Sequence, residues 1–216
     1  MRRQSRPRLH VEVLGQRQRR VLAALGPVLG QRGFYLGGGT GVALHLGHRR
    51  SVDLDWFTSE RVPDALRLAE DLRAEGVALV TREVAPGTIH GRVRGVRVSL
   101  LEYRYPLLEA ARVVPPLECP LASLDDLATM KLSAAVQRGS RKDFVDLYAI
   151  GLKHRPLAEL LALYRRRFGV KDVGHVLFGL SFFDNADRER MPRMRWRVAW
   201  ASVKRAIRAW VRGLAR

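Results

Sequence analysis

Hydrophobic residues in the first half of the chain recur at two different spacings, which predict helices and strands in succession. Between Val11 and Leu29 the spacing is close to helical, and Gly26-Pro27 is expected to kink or divide this opening helix. A further helix is predicted from Pro63 to Ala74, because proline suits a first helical turn. Three β-like runs separated by turn residues follow, namely Val77–Val84, Thr88–Val93 and Val96–Tyr103.

The second half of the chain has helical spacing with short breaks. Ser123 followed by Asp126 resembles a capping box and predicts a helix that runs to about Gln137. Ser140 is expected to cap a further helix, which extends from Arg141 to about Leu152. The residues beyond it are also predicted to be helical.

These patterns predict an α/β (α+β) fold in two parts. Residues 1–118 are expected to form a mixed sheet covered by helices, and residues 119–216 a C-terminal helical domain. No apolar run approaches the ~20 residues of a membrane span, so we expect no contact with a membrane. The N-terminus is basic but lacks the apolar segment of a secretory signal, and we therefore expect a cytoplasmic protein.

The charge balance points to the kind of partner. The formal net charge is +18 and the isoelectric point is near 11.4. Residues 1–8 are expected to be a frayed basic arm, and a second basic excess begins at Arg188. Such a surplus of cations favours a polyanionic partner.

The candidate chemistry lies in the stretch from Phe34 to Thr58. A short apolar run there enters the glycine cluster that ends in Gly38-Gly39-Thr40, and Thr40 is expected to cap a short helix. Glycines allow the backbone to turn close to a phosphate, and the N-terminus of the next helix attracts the anion. Gly38, Gly39 and Thr40 are therefore predicted to bind a nucleotide.

Two carboxylates follow on one predicted strand. Asp53 and Asp55 are two residues apart, so both side chains point to the same face. Carboxylates held this close repel one another, and a divalent cation such as Mg²⁺ (or Mn²⁺) removes that repulsion. A solvated strand face is the alternative interpretation of the pair. The order of strand, glycines, helix and Asp-x-Asp strand favours a phosphoryl- or nucleotidyl-transfer site.

These residues carry a resemblance to a known family. The glycine cluster followed by Asp53-Leu54-Asp55 resembles the signature of the polymerase-beta-like nucleotidyltransferases. Residues 46–55 closely resemble the AbiEii/AbiGii toxin family of bacterial toxin–antitoxin and phage-abortive systems, and the resemblance continues at residues 121–147 and 183–194. It implies transfer of a nucleoside monophosphate from an NTP to an acceptor, expected to be tRNA. It also implies a separate antitoxin protein.

The resemblance assigns roles to residues outside the glycine and aspartate motifs. Lys131 is expected to contact nucleotide phosphates. Asp143 is expected to be the acidic partner on the facing helix, either polarising the acceptor or holding Lys131 in place, with Asp146 as the fallback. Lys131 could instead reach solvent, and the aspartates could simply offset a helix dipole. Arg50 and Ser51, directly before the aspartate strand, are predicted to meet triphosphate oxygens.

A third acid on a later strand is usual in this superfamily, and here its place is in doubt. Alternation along residues 95–102 puts Arg97 and Ser99 toward the site and Glu102 on the opposite face, unless a bulge reverses it. Glu102 and Asp146 are the two candidates for a third acid. His45 and His48 form a His-x-x-His pair, which without further ligands is weak support for zinc.

The tail is predicted to be an amphipathic helix. Its apolar stripe contains Trp196, Trp200, Val203, Ile207 and Trp210, and its basic stripe contains Arg197, Lys204, Arg208 and Arg212. The basic stripe is either an ordinary solvated face or a track for a nucleic-acid backbone. Three functions stay open: a toxin nucleotidyltransferase, a non-catalytic nucleotide- or RNA-binding protein on a degenerate scaffold, and a nucleotidyltransferase with a protein or small-molecule acceptor.

Overall fold

A computed structural model describes residues 9–115 and 117–214, so the predicted basic arm at residues 1–8 lies outside the described residues. The described strands are β1 Tyr35–Leu36, β2 Leu54–Thr58, β3 Leu79–Ala85, β4 Thr88–Val93, β5 Val96–Glu102, β6 Arg112–Val114 and β7 Cys119–Leu121. After a short 3₁₀ turn, the helices are α1 Gln16–Gln31, α2 Gly38–Leu46, α3 Ala65–Ala74, α4 Leu124–Gln137, α5 Arg141–Lys153, α6 Leu157–Phe168, α7 Gly174–Ser181, α8 Asp184–Arg188 and α9 Trp200–Leu214.

The strands form one mixed sheet in the order β3-β4-β5-β2-β1-β7-β6. The hairpins β3–β4 and β4–β5 are antiparallel, whereas β2 runs parallel to β5 and β1 runs parallel to β7. The three β-like runs and the helix from Pro63 are found close to their predicted bounds. The predicted mixed α/β fold is therefore confirmed.

The sheet separates two hydrophobic cores. One core lies between the sheet and helices α1 and α3, and it includes the fully buried Leu22, Leu29 and Trp56. The other lies on the opposite side, where helices α4 to α9 pack around Phe144 and Ile150. Strand β2 alternates between the two sides, with Leu54, Trp56 and Thr58 buried and the residues between them partly exposed.

Helix α1 is continuous through Pro27, so the predicted division of the opening helix was wrong. Gly26 explains why the helix holds together at this point. A Cβ at Gly26 would lie 2.8 Å from the Cβ of Cys119, which shows how closely α1 approaches strand β7. Packing against the sheet therefore outweighs the local preference of Gly-Pro to break a helix.

The expected domain boundary near residue 118 lies between two paired strands. Val114 of β6 is opposite Cys119 of β7, and Leu121 of β7 pairs with Leu36 in the centre of the sheet. The sheet thus extends to Leu121, and the helical part starts at Leu124 with the predicted cap from Ser123. None of the helices in residues 9–115 and 117–214 is long and apolar enough to cross a membrane.

The last helix, α9, begins four residues later than the predicted stripe, at Trp200. Trp196 and Arg197 precede it because the chain is not helical there, and the backbone N–H groups of Arg195 and Trp196 donate to the His48 carbonyl of an earlier loop. Met194 forms an isolated antiparallel bridge with Arg49, and we call residues 193–196 the strap. Within α9, Val203 and Ile207 are buried against the helical core.

Candidate active site

A cleft of about 610 Å³ opens between the middle of the sheet and helix α4. It brings together residues that are far apart in the sequence. Those that were predicted for the site and line the cleft are Gly38, Gly39, Arg50, Ser51, Asp53, Asp55 and Lys131. Its volume is in the range of ordinary small-molecule sites, and a nucleotide is of that size.

The glycines at the start of α2 make room for two functional side chains. Gly37 is the N-cap of α2, and Gly38 has a φ of 58°, which favours glycine. A Cβ on Gly38 would collide with the carboxylate of Asp55, and a Cβ on Gly39 would collide with the guanidinium of Arg49. The helix start is therefore in contact with a candidate metal ligand and with a buried cation, and its first-turn N–H groups are those that a helix leaves unpaired.

Thr40 is placed differently from the expectation. It is the third residue of α2 rather than its cap, because Gly37 already provides the turn into the helix. The Thr40 side chain is fully buried, and its hydroxyl donates to the backbone carbonyl of Asp53. This bond joins the helix start to the residue before β2, so the hydroxyl is not available to a nucleotide.

Asp53 and Asp55 both line the cleft, next to strand β5. Asp55 is opposite Ser99 in the parallel pairing of β2 with β5, and Arg97 donates from Nε to Oδ1 of Asp53 over 2.6 Å. Arg97 and Ser99 are thus on the site-facing side, as alternation predicts. Glu102 lies outside the cleft and accepts the Val62 N–H over 2.8 Å. Glu102 is therefore not a third acid of this cleft.

The two aspartates suit a magnesium ion that also binds substrate phosphates. Mg²⁺ in proteins commonly takes one or two carboxylates and completes its shell with phosphate oxygens and water. The bond from Arg97 engages Oδ1 of Asp53, and a carboxylate has about four lone-pair positions to offer. No group of three or more His, Cys, Asp or Glu side chains that could hold a metal occurs in residues 9–115 and 117–214. The residues present therefore fit an ion that is bound by Asp53 and Asp55 together with substrate phosphate oxygens, and they do not fit an ion bound by protein ligands alone.

Asp146 is the centre of a buried ionic cluster behind the cleft. It accepts from His48 Nε2 at 2.7 Å and from Arg49 Nε and Nη2 at 2.6 and 2.8 Å, and Lys131 Nζ lies 2.7 Å from its Oδ2. Burial alone would raise the pKa of Asp146, but Arg49 and Lys131 hold that pKa well below its usual range. Asp146 is thus ionised, and it fixes two cations at the cleft wall.

Asp143 lies on helix α5, like Asp146, and pairs with Lys131 of the facing helix α4. Lys131 Nζ donates to its Oδ1 over 2.8 Å, and Arg138 donates to both of its oxygens at 2.6 and 2.9 Å. Burial would lower the pKa of Lys131, but the Asp146 and Asp143 carboxylates raise that pKa, so the ammonium is charged. Lys131 is 4% exposed and does not reach into solvent. Asp143 itself lies behind the cleft wall, in contact with two residues that line it.

The cluster has more positive than negative charge. Arg49, Lys131 and Arg138 face the two carboxylates of Asp143 and Asp146. Burial lowers the pKa of His48, so its imidazole is neutral in spite of its bond to Asp146. The cleft wall therefore keeps one surplus positive charge, which suits an anionic ligand.

In the stretch before the aspartate strand the sequence led us to assign Arg50 and Ser51 to the site and not their neighbour Arg49, and Arg138 received no role of its own. Arg49 lies directly before the predicted Arg50, and nothing in the sequence shows which of two adjacent arginines is buried. The structure buries Arg49 at 3% exposure and leaves Arg50 on the rim of the cleft. Arg138 stands five residues before Asp143 in the sequence, and that short spacing was the available signal.

The strap holds the loop that carries these residues. The Arg50 N–H donates to the Arg193 carbonyl over 2.8 Å, and the Arg195 N–H donates to the His48 carbonyl over 2.8 Å. The Trp196 ring lies edge-on to the His48 imidazole, with 5.8 Å between ring centroids. A segment of the C-terminal half therefore completes one wall of the cleft.

Comparisons with known proteins agree with this architecture. The family model described as "Nucleotidyl transferase AbiEii toxin, Type IV TA system" matches residues 20–211. The uncharacterized protein aq_aa25 of Aquifex aeolicus is 35% identical over 159 residues, which are 72% of this chain and 76% of that protein.

Two solved structures have a similar fold. The nucleotidyltransferase toxin MenT4 of Mycobacterium tuberculosis has a TM-score of 0.58 at 16% identity, covering 91% of this chain and 82% of that chain. JHP933 of Helicobacter pylori has a TM-score of 0.54 at 11% identity, covering 93% of each chain.

Proposed function

The chain belongs to the AbiEii nucleotidyltransferase toxin family, and from that premise we propose an Mg²⁺-dependent transfer of a nucleoside monophosphate from an NTP to tRNA. As a member of this family the chain is a nucleotidyltransferase and a toxin. The proposal adds the metal, the residues and the acceptor. The observation that supports it is the meeting of Gly38, Asp53, Asp55 and Lys131 in one cleft.

The residues of the cleft suit in-line transfer of a phosphoryl group. Such a reaction needs positioning and neutralisation of charge more than it needs a nucleophile from the protein. The first turn of α2 would receive the triphosphate between Gly38 and Gly39, with Arg50 and Ser51 on the rim. Lys131 would meet the charge that develops on the departing pyrophosphate, because Asp143 and Asp146 already hold the ammonium in place.

Asp53 and Asp55 are the residues that would hold the divalent cation. When bound, Mg²⁺ (or Mn²⁺) neutralises phosphate charge and lowers the pKa of an oxygen that it contacts. Arg97 donates to Oδ1 of Asp53, so a cation held by Asp53 would share this carboxylate with the Arg97 guanidinium. Asp143 acts through Lys131 and Arg138 and is a positioning residue.

An RNA acceptor is favoured by the charge of the molecule. A net charge of +18 would repel a cationic acceptor such as an aminoglycoside and attract a polyphosphate chain. The family description also names a type IV toxin–antitoxin system, so we propose a separate antitoxin as the protein partner.

A single incubation tests the proposed reaction. Each radiolabelled NTP is incubated with the full chain, Mg²⁺ and total tRNA, and the tRNA is separated on a gel. Label on tRNA from one NTP is expected, together with release of pyrophosphate. Asp53→Ala and Asp55→Ala should abolish the label, because each removes a proposed metal ligand.

The same two variants should stay folded, since removing one of two neighbouring anions relieves repulsion. Asp55→Ala should melt at or above the wild-type temperature, whereas Asp53→Ala also loses its partly exposed ion pair with Arg97, worth about 0–1 kcal/mol, and should melt close to the wild type. Labelling that persists in both variants while still requiring metal would remove these aspartates from the metal site. Label on protein and none on tRNA would contradict the proposed acceptor.

A further inference from the structure

A second groove of about 430 Å³ adjoins the active-site cleft. Its exposed walls are aromatic, because Phe178 of α7 is 75% exposed and Phe182, directly after α7, is 50% exposed. The two residues are four apart, so they lie on one side of the helix. Large aromatic side chains left this open in a folded protein mark a surface for interaction.

The groove is continuous with the cleft. Gln137 and Arg138, at the end of α4, line both cavities, so the wall between the cavities belongs to each of them. The Arg138 side chain is 54% exposed and is anchored on Asp143. A ligand that leaves the cleft on this side passes a fixed cation before it reaches the phenylalanines.

The floor of the groove is formed in part by backbone. Glycines at 139, 174 and 179 line it, so few side chains project from the floor. At Gly179 a Cβ would lie 3.1 Å from the Cα of Val136, which shows that α7 packs directly on α4. The platform formed by Phe178 and Phe182 therefore has a fixed position relative to the cleft, and polar groups of His175 and Asn185 border it.

We propose that this groove is a stacking platform for unpaired bases of the RNA acceptor, next to the site where the nucleotide binds. The inference rests on the proposed function, because it assumes that the acceptor is RNA. Aromatic faces stack on any base, and a nearby arginine contacts the phosphate between bases. The NTP is accommodated by the cleft of about 610 Å³, so the adjoining groove is left for the acceptor.

A binding experiment on the full chain tests the platform. The probes are two fluorescent RNA hairpins, one with a single-stranded 3′ tail and one with a blunt end, measured by anisotropy without NTP. The Phe178→Leu/Phe182→Leu variant keeps the apolar surface and removes the rings. We expect its Kd for the tailed hairpin to rise roughly tenfold or more, the order expected for loss of one stacked base.

Five further measurements make the result specific. The blunt hairpin and NTP should bind as they do to the wild type, and the salt dependence of tailed-hairpin binding should keep its slope because no phosphate contact is lost. A Phe178→Trp/Phe182→Trp variant should retain the affinity for the tailed hairpin. Leu66→Ala is the matched control, since Leu66 is an exposed apolar residue (56%) on α3 that lines neither cavity.

An unchanged Kd for the tailed hairpin in the Leu variant would overturn the inference and leave this surface to a protein partner. A rise in the Kd of NTP would also overturn it, because the platform would then serve the nucleotide. If the wild type binds neither hairpin and still binds NTP, the proposed RNA acceptor itself fails. RNA binding that does not depend on the two phenylalanines rejects only the platform.

Discussion

At the scale of single residues, the two carboxylates of the buried cluster share one cation, Lys131, and each has an arginine of its own. Asp143 is bonded to Lys131 and Arg138, and Asp146 is bonded to Lys131 and Arg49. Each carboxylate thus keeps an arginine if Lys131 is removed. The opposite change, removal of Asp146, takes away the carboxylate partner of Arg49 and leaves Lys131 paired with Asp143 alone, so two nearly buried cations lie close together with less negative charge between them.

Lys131→Ala is therefore expected to impair substrate use more than folding. Loss of a charged hydrogen bond to phosphate costs about 1.5–3 kcal/mol, so the Kd of NTP should rise roughly ten- to hundredfold. Asp146→Ala should instead reduce the free energy of unfolding by about 3–5 kcal/mol, as breaking a buried ion pair does. Titration calorimetry and urea denaturation measure the two effects separately.

Lys142→Ala is the matched control for Lys131, because Lys142 also lines the cleft but is exposed. It should change the Kd of NTP less than Lys131→Ala does. Asp143→Asn should lower kcat more than it weakens NTP binding, since Asp143 positions Lys131 and Arg138. Equal effects of the two lysine variants would reject the role assigned to Lys131.

One buried and one partly buried histidine, His48 and His45, predict how stability depends on pH. Burial lowers the pKa of His45 and of His48, and Nδ1 of His48 has no hydrogen-bond partner among the described residues. In the unfolded chain both side chains bind a proton near pH 6.5, the ordinary pKa of histidine, whereas the folded chain resists protonation. Stability is therefore retained above that pH and falls below it, by at most about 1.4 kcal/mol per pH unit for each histidine.

Urea denaturation between pH 7.5 and 5.5 checks this dependence. A His45→Gln/His48→Gln variant should lose most of the slope, because glutamine can still donate to Ala122 and Asp146 and does not titrate. The buried aspartates do not contribute in this window, since the pKa values of Asp143 and Asp146 are lowered. The same slope in variant and wild type would disprove the assignment.

The sequence allowed the motif residues to be predicted better than their contacts. Spacing alone was enough to predict that Asp53 and Asp55 share a face and that Arg97 and Ser99 lie beside them, because alternation on a strand is a local rule. Which arginine would be buried against Asp146 depended on contacts between residues nearly half the chain apart. Such pairing is set by tertiary packing and leaves no local pattern.

At the scale of elements, the start of α2 leaves no room for a side chain at Gly38 or Gly39, because Asp55 and Arg49 occupy that space. Gly38→Ala would place a Cβ against the Asp55 carboxylate at a residue whose φ is 58°. We expect a loss of about 1–2 kcal/mol of stability from the left-handed backbone. Metal affinity should fall as well, because Asp55 is short and its carboxylate must turn away.

Gly169→Ala separates these two effects. Gly169 has a φ of 65° and no heavy atom within 4 Å of its would-be Cβ, so it carries the backbone cost alone. Both variants should melt at similar temperatures, and only Gly38→Ala should bind Mn²⁺ more weakly in a calorimetric titration. Equal metal affinity in the two variants would show that Asp55 does not depend on this glycine.

Elements with strong local signals were predictable, and those created by packing were not. The β3–β4–β5 meander has turn residues at its corners, and the helices α4 and α5 have serine at their N-caps. The strands β6 and β7 have three residues each, and β1 has two, too few for a periodic pattern. The sheet therefore extends past the predicted boundary because neighbouring strands order these short segments.

At the scale of the whole molecule, some basic side chains of the tail contact other parts of the protein and others are exposed to solvent. Along α9, Lys204 is bonded to Asp187 at 2.9 Å, and the guanidinium of Arg208 lies over the Phe183 ring. Arg197 and Arg212 are exposed. The predicted basic stripe is thus partly used in holding the tail to the rest of the helical core.

Neutralising Arg197, Lys204, Arg208 and Arg212 together is expected to weaken tRNA binding and flatten its salt dependence. Each lost phosphate contact should reduce the slope of log K against log salt by about 0.7–0.9. Lys204 should contribute least, since Asp187 already neutralises it. Anisotropy over a salt series measures the slope, and NTP binding should stay unchanged. An unaltered slope would make the stripe a solvating face.

The strap makes the order of synthesis matter for toxicity. His48, Arg49 and Arg50 leave the ribosome long before Arg193 to Trp196, which supply their backbone partners. A growing chain consequently carries its proposed metal and phosphate ligands well before it can hold them in position. We expect each new toxin molecule to be harmless for most of its translation and to become active only when its last residues have emerged.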